Sequence, residues 1–574
     1  MVPDVAIGSM VRVPLAGRRV GGWVVALREA STLEAGARPG GGDVVDAAGT
    51  DPDATVPLAR LVPLARWSGH GPPADLVDLA RWAAQRFGAG RLRPFLVTAS
   101  PPTMVRAVRP RAEPSPGELA GASHAARRLL ADGGGVIRTT PSDDPFPIVL
   151  AAAELGPVLV VQPSLAAHGP LAQRLAELGV GAAVLPEAWA AAAGGAAAVI
   201  GGRRAVWAPM PAIAAVVVLD EHDEALQEER APTWHAREVA IERARRAGAP
   251  CLLVSPCPTV TALAWTGTRW MRPTPGDERE GWPVVEVVDR GDEEPWRRSL
   301  VSSRLVAALR DHDRRVVCVH NTPGRARLLA CRVCRSLLRC ERCDAAVDQP
   351  DAEHLRCRRC GTERPPVCQA CGSSALANVR PGVARLREEL EAAAGRPVAA
   401  ITADSDPGDV ASADVHVGTE AVLHRVAATD VVVFLDLDTE LFAPRYRAAE
   451  QAMALLVRAA RLVGPRRGGG RIVVQTTAPR HEVVQAALLA DPGRLARAEA
   501  AGRRALGLPP FAALARVGGE GADAFVASTG LEAAPAGDAW LVRAPTWEEL
   551  GSALARTPRP RGSRVRVEVD PARG

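Results

Sequence analysis

Lysine is missing from this chain altogether: all 70 basic residues among its 574 are arginine. A phosphate loop of the form G-x-x-x-x-G-K-[ST] needs a lysine to reach the β- and γ-phosphates, so the chain carries no such loop. Because Ala, Gly, Arg and Pro are all abundant, the bias toward arginine reads first as GC-rich coding. Aromatic residues are scarce at 3%, which leaves core packing to Val, Leu and Ala. No apolar run reaches the roughly 18 residues of a membrane span; the longest candidate, "AWAAAAGGAAAVIGG" (188–202), is too rich in Ala and Gly. The start, "MVPDVAIGSMVRV", has no basic stretch followed by an apolar core, as a secretion signal would. A cytoplasmic protein with no membrane partner is expected, its eleven cysteines reduced. A net charge of +5 is close to neutral for this length and does not by itself argue for nucleic acid.

What is present is a multidomain α/β pattern. Residues 1–99 show short β-segments, an Asp/Gly-rich loop (35–55) read as mobile, and a helix around 74–87. Residues 100–125 are Pro-rich and polar, the composition of a linker. From 126 to 293, "PVLVVQP", "AAAVIGGRRAVWAP", "AAVVVLDE" and "PCLLVSP" read as strands buried on both faces of a parallel sheet. A second series, "RRVVCVHN", "VAAITADS", "ADVHVGTEAV", "TDVVVFLDLD" and "GRIVVQTT", spans 294–330 and 375–485. Two doubly wound units in tandem follow, with a cysteine-rich module (331–374) inserted in the second. Residues 486–574 read as a small α+β domain that opens with a helix (494–506).

Eight cysteines form four C-x-x-C pairs: Cys331/Cys334, Cys340/Cys343, Cys357/Cys360 and Cys368/Cys371. Each such turn aims two thiolates at one tetrahedral ion. Eight thiolates suffice for two closed Cys₄ zinc sites, which leave no open position for hydrolytic chemistry. Spacing alone permits three matchings of the pairs. His354 lies inside the module but is read as a surface residue, and Cys251, Cys257 and Cys318 as core residues beside apolar strands.

The apolar run ending in Asp220 and Glu221 has the form of a strand that delivers carboxylates to a nucleotide-bound Mg²⁺. Its partner loop should lie in "GGGVIRTTPSDDPFPIVLAAAELG" (133–156), which has the expected strand, turn and helix. The turn instead holds Pro141, Ser142, Asp143, Asp144 and Pro145. Two carboxylates repel a triphosphate and two prolines remove N–H donors. No catalytic residue is assigned on this reading; Asp220 and Glu221 are taken as vestiges of a nucleotide site, or simply as a charged strand end.

Four stretches together carry a family likeness: "LDEHDEALQEERAPTWHARE", "HNTPGRARLLACRVC", "LDLDTELFAPRYRAAEQ" and "RRALGLPPFAALARV". They resemble the PriA family of primosomal replication-restart proteins, in its helicase-degenerate actinobacterial form, along almost the whole chain. The resemblance implies two RecA-like helicase lobes and an N-terminal domain like the one that captures a DNA 3′ end. It also implies a nested metal pairing. Cys331, Cys334, Cys368 and Cys371 would hold one Zn²⁺, and Cys340, Cys343, Cys357 and Cys360 the other. The departures matter as much. Thr322 and Pro323 stand where the family has arginines after Asn321. The late helicase motif reads "VRAARLVG" (457–464), keeping Arg461 but losing its Gln and final Arg. Only the linker 100–125 separates the N-terminal domain from the first lobe, so the family's winged-helix domain is not expected, and the chain opens in mid-pattern, as if a β-segment preceded it. The implied function is recognition of stalled or abandoned forks, with single-stranded regions, and reloading of the replicative helicase through primosome partners without helicase activity. An active 3′→5′ helicase and a zinc-stabilised scaffold that touches no DNA are the alternatives. DNA-contacting residues are not assignable from sequence.

Overall fold

The computed structural model describes residues 5–15, 17–27, 62–111, 117–291, 300–321, 329–334, 336, 338, 340–341, 347–349, 351, 353–357, 362–378, 383–401, 405, 413–443, 445–560 and 562–572. The loop 35–55, Thr322, Pro323, Cys343 and Cys360 lie outside them.

At the N-terminus, β1 (Met10–Leu15) pairs antiparallel with β2 (Arg18–Trp23) and β3 (Arg66–Gly69). Helices α1 (Ala74–Arg86) and α2 (Arg93–Ala99) follow; Leu76, Val77, Leu79, Ala80 and Ala83 form the buried stripe of α1 at helical spacing. The Pro-rich segment after α2 runs along the body. His70 and Val105 form a β-bridge, and the Arg111 N–H donates to the Gly194 carbonyl.

The first large sheet has seven parallel strands: β4 (Gly134–Arg138), β5 (Val158–Val161), β6 (Ala182–Val184), β7 (Ala198–Gly201), β8 (Ala215–Leu219), β9 (Cys251–Ser255) and β10 (Trp270–Met271). Their spatial order is β10-β4-β9-β8-β5-β7-β6. β4, β5, β7, β8 and β9 are buried along their whole length, as strands covered on both faces must be. The connecting helices used below are α3 (Phe146–Ala153), α4 (Ala236–Ala247) and α5 (Val260–Thr266).

The second sheet, also fully parallel, comprises β11 (Val284–Asp289), β12 (Val316–Val319), β13 (Val398–Ile401), β14 (Val415–Gly418), β15 (Val431–Phe434) and β16 (Arg471–Thr476). The order is β11-β16-β15-β12-β14-β13. This moves one expected boundary. A first unit ending at 293 would include β11, but β11 is hydrogen-bonded to β16 of the second sheet. The pattern "VVEVVD" has no feature that says which sheet it extends. A second boundary moves as well. Helices α6 (Ala448–Val463), α7 (Glu482–Leu488) and α8 (Pro492–Ala505) share the second core through Leu456, Val483, Val484 and Leu495, so that core runs past 485.

The C-terminal sheet is antiparallel, ordered β18-β19-β17-β20, from β17 (Ala513–Gly518), β18 (Glu532–Ala536), β19 (Ala539–Ala544) and β20 (Arg566–Val569), with α9 (Ala522–Thr529) and α10 (Trp547–Arg556). It joins the hydrophobic core that also holds α1, α2 and one face of the first sheet. Cys251 and Cys318 are buried in the two parallel sheets, and burial pushes both thiols up to about 12. They are core residues, as is Cys257.

Trp207 ties the N-terminal helices to the first sheet. It is buried, with Phe95 of α2 at 5.5 Å and Trp234 at 5.8 Å between ring centres. Trp207→Ala is expected to lower stability by about 3–5 kcal/mol, read by chemical denaturation, and to speed proteolysis between α2 and β4.

Candidate functional site

In an open parallel sheet, ligands bind beyond the carboxyl ends of the strands, where the strand order reverses. Here that place lies beyond β4, β8 and β9. The chain leaves β4 for β5 on the far side of β9 and β8. Three features meet there: the turn after β4, the Asp220–Glu221 pair after β8, and Ser255 at the end of β9.

Several of the amides around the turn are bonded within the protein. Thr139 N–H donates to the Ser255 carbonyl at 3.1 Å, and Thr140 N–H to Asp143 Oδ2 at 2.7 Å. Asp143 N–H donates to the Thr140 carbonyl, and Phe146 N–H to Asp144 Oδ1 at 3.0 Å. Pro141, Pro145 and Pro147 have no N–H to give, and Ile148 N–H returns to the Pro145 carbonyl. The first turn of α3, where a helix would otherwise offer donors to an anion, is therefore spent. Asp144 is also held by Arg174 at 2.6 and 3.1 Å, a contact that keeps its carboxyl below the ordinary value. Space is closed too. A Cβ on Gly281 would stand 2.2 Å from Thr140 Oγ1, so the segment entering the second sheet lies directly on the turn.

The two carboxylates after β8 have separate fates. Glu221 is completely buried; Oε1 accepts from Thr259 N–H at 2.7 Å, and Oε2 from Arg237 Nη1 at 2.9 Å and Thr259 Oγ1 at 3.0 Å. Both its oxygens are occupied by the fold. Sequence position alone paired it with Asp220; what separates them is the turn between. Asp220 stands at φ +51°, a left-handed conformation that Asp tolerates better than most residues. It faces the second sheet, where Arg461 of α6 grips it with both Nη atoms at 2.5 and 2.7 Å. Burial alone would raise the Asp220 carboxyl, but the Arg461 guanidinium outweighs that and holds it below the ordinary value. Arg461 Nε reaches the Pro141 carbonyl at 3.4 Å.

Asp220, Arg461 and the acidic turn, far apart in sequence, are thus brought into one cleft. One helical turn before Arg461, Arg458 binds Asp223 at 2.6 Å. Glu450, at the start of α6, accepts from Val260 N–H at 2.8 Å and from Arg503 at 2.7 Å. Sequence reasoning missed Arg458, Glu450 and Arg503. Spacing along α6 (450, 458, 461) was available, but their partners lie more than 40 residues away and left no local signal. His222, beside the cleft, bonds through Nδ1 to Ser255 Oγ at 2.8 Å; burial lowers its pKa and keeps it neutral near pH 7.

The cysteine module starts and ends on one antiparallel strand pair, Leu329–Cys331 with Leu376–Asn378. That pairing brings the outer C-x-x-C turns together. Cys331, Cys334, Cys368 and Cys371 form one cluster with all Sγ atoms within 4.8 Å. Cys331–Cys371 and Cys334–Cys368 are 3.5 Å apart, too long for a disulfide and near the edge of about 3.8 Å of a tetrahedron with metal–sulfur bonds of about 2.3 Å. The cluster can hold one metal ion. The Ser336 hydroxyl and N–H hold the Cys334 thiol down, while the neighbouring thiols Cys334 and Cys331 push Cys371 up. Of the inner pairs, Cys340 and Cys357 are buried in a small core with Leu329, Leu338 and Leu355. His354 is exposed and contacts Asp351.

No protein-family model matches the chain. Its sequence is similar to the probable replication restart protein PriA of Mycobacterium tuberculosis, 32% identical over 353 residues, 58% of this chain and 53% of that one. The Mycobacterium leprae protein of the same name is 33% identical over 359 residues, 59% and 55% of the two chains. The replication restart protein PriA of Bacillus subtilis is 27% identical over 343 residues, 56% and 43%. The chain is related to the PriA replication restart proteins. It spans about half the length of the PriA relatives it matches. Among solved structures, a DEAD box protein from the hyperthermophile Methanococcus jannaschii superposes with a TM-score of 0.31 at 9% identity, covering 67% of this chain and 91% of that one, a score too low to bear on the fold. No described helix is long and apolar enough to cross a membrane.

Cys368→Ser is expected to release about one metal ion per chain, counted by mass spectrometry of the purified protein. The Asp220–Arg461 pair is partly exposed, so a double-mutant cycle with Ala at both positions should give a coupling of only about 1 kcal/mol or less.

Proposed function

We propose that this chain is a fork-recognition protein of replication restart that neither hydrolyses ATP nor unwinds DNA. Its two parallel-sheet units would be degenerate RecA-like helicase lobes kept as a DNA-binding body. The observation that carries this reading is the cleft between them. In the turn that would cradle phosphates, Asp143 and Asp144 take the amides of Thr140 and Phe146, and the carboxylate that would meet Mg²⁺ is held by Arg461. The names of the relatives supply the process, replication restart.

In this reading the N-terminal domain resembles the part of the family that captures a DNA 3′ end. Branched DNA with single-stranded arms would be recognised through shape and backbone rather than base sequence. The cysteine module would bind two Zn²⁺, one in the Cys331, Cys334, Cys368 and Cys371 cluster and one between Cys340, Cys343, Cys357 and Cys360. Filled sites have no open coordination position, so the metal supplies folding energy and rigidity to a surface for DNA or for the proteins that reload the replicative helicase. The protein would work in the cytoplasm.

Fork binding and phosphate release, measured on one zinc-replete preparation, test the proposal. Fork affinity should fall steeply between low and physiological salt. Phosphate release should stay at background with or without fork, and MgATP should leave the melting temperature unchanged, since a ligand that does not bind cannot stabilise. DNA-stimulated turnover abolished by Asp220→Ala would establish an active helicase instead. Absent fork binding in folded protein would leave a scaffold.

A further inference from the structure

A further cavity lies between α5 and α8, sharing Pro258, Pro492 and Ala496 with the pocket that contains Glu221 and His222. Its volume is about 450 Å³, within the range of sites that take a small organic group. The floor is apolar, from Leu263 and Ala264 of α5 and Ala496 and Ala500 of α8. Two aromatic rings border it: Trp270 of β10, notably exposed at 38%, and Phe511, just before β17. Exposure of a tryptophan is unusual in a chain this poor in aromatics.

Every charged residue of the described lining is an arginine: Arg138, Arg497 and Arg504. Arg504 and Arg497 are exposed on α8, and Arg138 is buried at the end of β4. Arg138 pairs with Glu278 and, at 3.4 Å, with Asp491, yet its Nε has no partner among the described residues; Arg497 also meets Asp491, at 3.4 Å, and Arg504 is the lining arginine with no carboxylate pair among the described residues. Glu278 and Asp491 do not themselves line the cavity. Guanidinium groups also lie over the rings. Arg504 is 4.2 Å from the Phe511 ring centre, and Arg272 is 5.8 Å from Trp270. Aromatic faces flanked by arginine are what single-stranded nucleic acid uses: bases stack on rings while phosphates meet the charges. A small anionic metabolite would use one ring and one charge. Two ring–arginine pairs, Trp270 with Arg272 and Phe511 with Arg504, suit successive units of a polymer.

We propose that the cavity between α5 and α8 is a stacking site for single-stranded nucleic acid, seating a base between Trp270 and Phe511 with its phosphates on Arg497 and Arg504. This rests on the fork-binding reading and names where an unpaired arm would lie. The test is fluorescence anisotropy with a labelled oligothymidylate of about 16 nucleotides, alongside a fork and a blunt duplex. Trp270→Ala should weaken oligothymidylate binding roughly 10-fold, and Arg504→Glu at least as much, while Trp270→Phe retains it and blunt-duplex affinity stays as in the parent. Because Trp270 and Arg504 are exposed, circular dichroism and metal content should be unchanged. If both variants bind oligothymidylate as the parent does, the site is wrong. Fork binding by the parent without oligothymidylate binding also overturns the site but leaves the fork-binding reading standing; binding of neither overturns both.

Discussion

The Asp220–Arg461 contact is the point on which the two sheets agree about what the cleft is for. Its worth in stability is small, because both groups keep water on one side and an ion pair there gains about 1 kcal/mol or less. Its consequence is larger than its energy. A Mg²⁺ ion needs a carboxylate with free lone pairs, and this one is already met by two guanidinium N–H groups from the opposite unit. A Mg²⁺ ion at Asp220 would compete with that pair.

The same helix that carries Arg461 makes the remaining connections, and their chemistry differs along its length. Near its C-terminal end Arg458 and Arg461 meet carboxylates of the first unit at partly exposed positions. Near its N-terminal end Glu450 is buried with Arg503, and Arg447 and Tyr446 both bind Asp570 just after the last strand. Burial raises the Glu450 and Asp570 carboxyls, but the adjoining arginines more than offset it and keep both ionised. Such buried pairs add little net stability, but removing one partner strands a charge. One helix thus fastens the second sheet to the first and to the C-terminal strands, with exposed pairs at the cleft and buried ones behind it.

Much of this was legible in the residues. Runs such as "AAVVVLDE" and "TDVVVFLDLD" are apolar at every position because both faces of a parallel strand are covered, and they became β8 and β15. The helix expected around 74–87 is α1, because its apolar residues recur at helical spacing. That the cysteines bind metal follows from turn chemistry; spacing alone left the matching of pairs open, the family resemblance implied the outer set, and the strand pairing that closes the module brings those four together. What stayed hidden was non-local. The β11 segment reads as a strand of either unit until its partner is known. Glu221 beside Asp220 reads as a second metal ligand, and only Thr259 and Arg237, folded against it, show that it is a structural anchor. No periodicity records a contact between Asp220 and a residue 241 positions away.

A buried parallel sheet and an acidic, proline-containing turn at its carboxyl end are compatible for a physical reason. The strands are held by burial on two faces, which depends on Val, Leu and Ala at inward positions and is indifferent to the loops at their ends. Those loops can exchange glycine for proline and lysine for aspartate at little cost to the core, provided every freed donor and carboxylate finds a partner. The turn after β4 meets that condition through Asp143 and Asp144, which answer the amides of Thr140 and Phe146. Asp220 meets it through Arg461. A damaged motif left unrepaired would leave unpaired polar groups in the cleft, each costing about 1–3 kcal/mol. At Asp143, Asp144, Asp220 and Glu221 that cost is avoided by pairing within the protein.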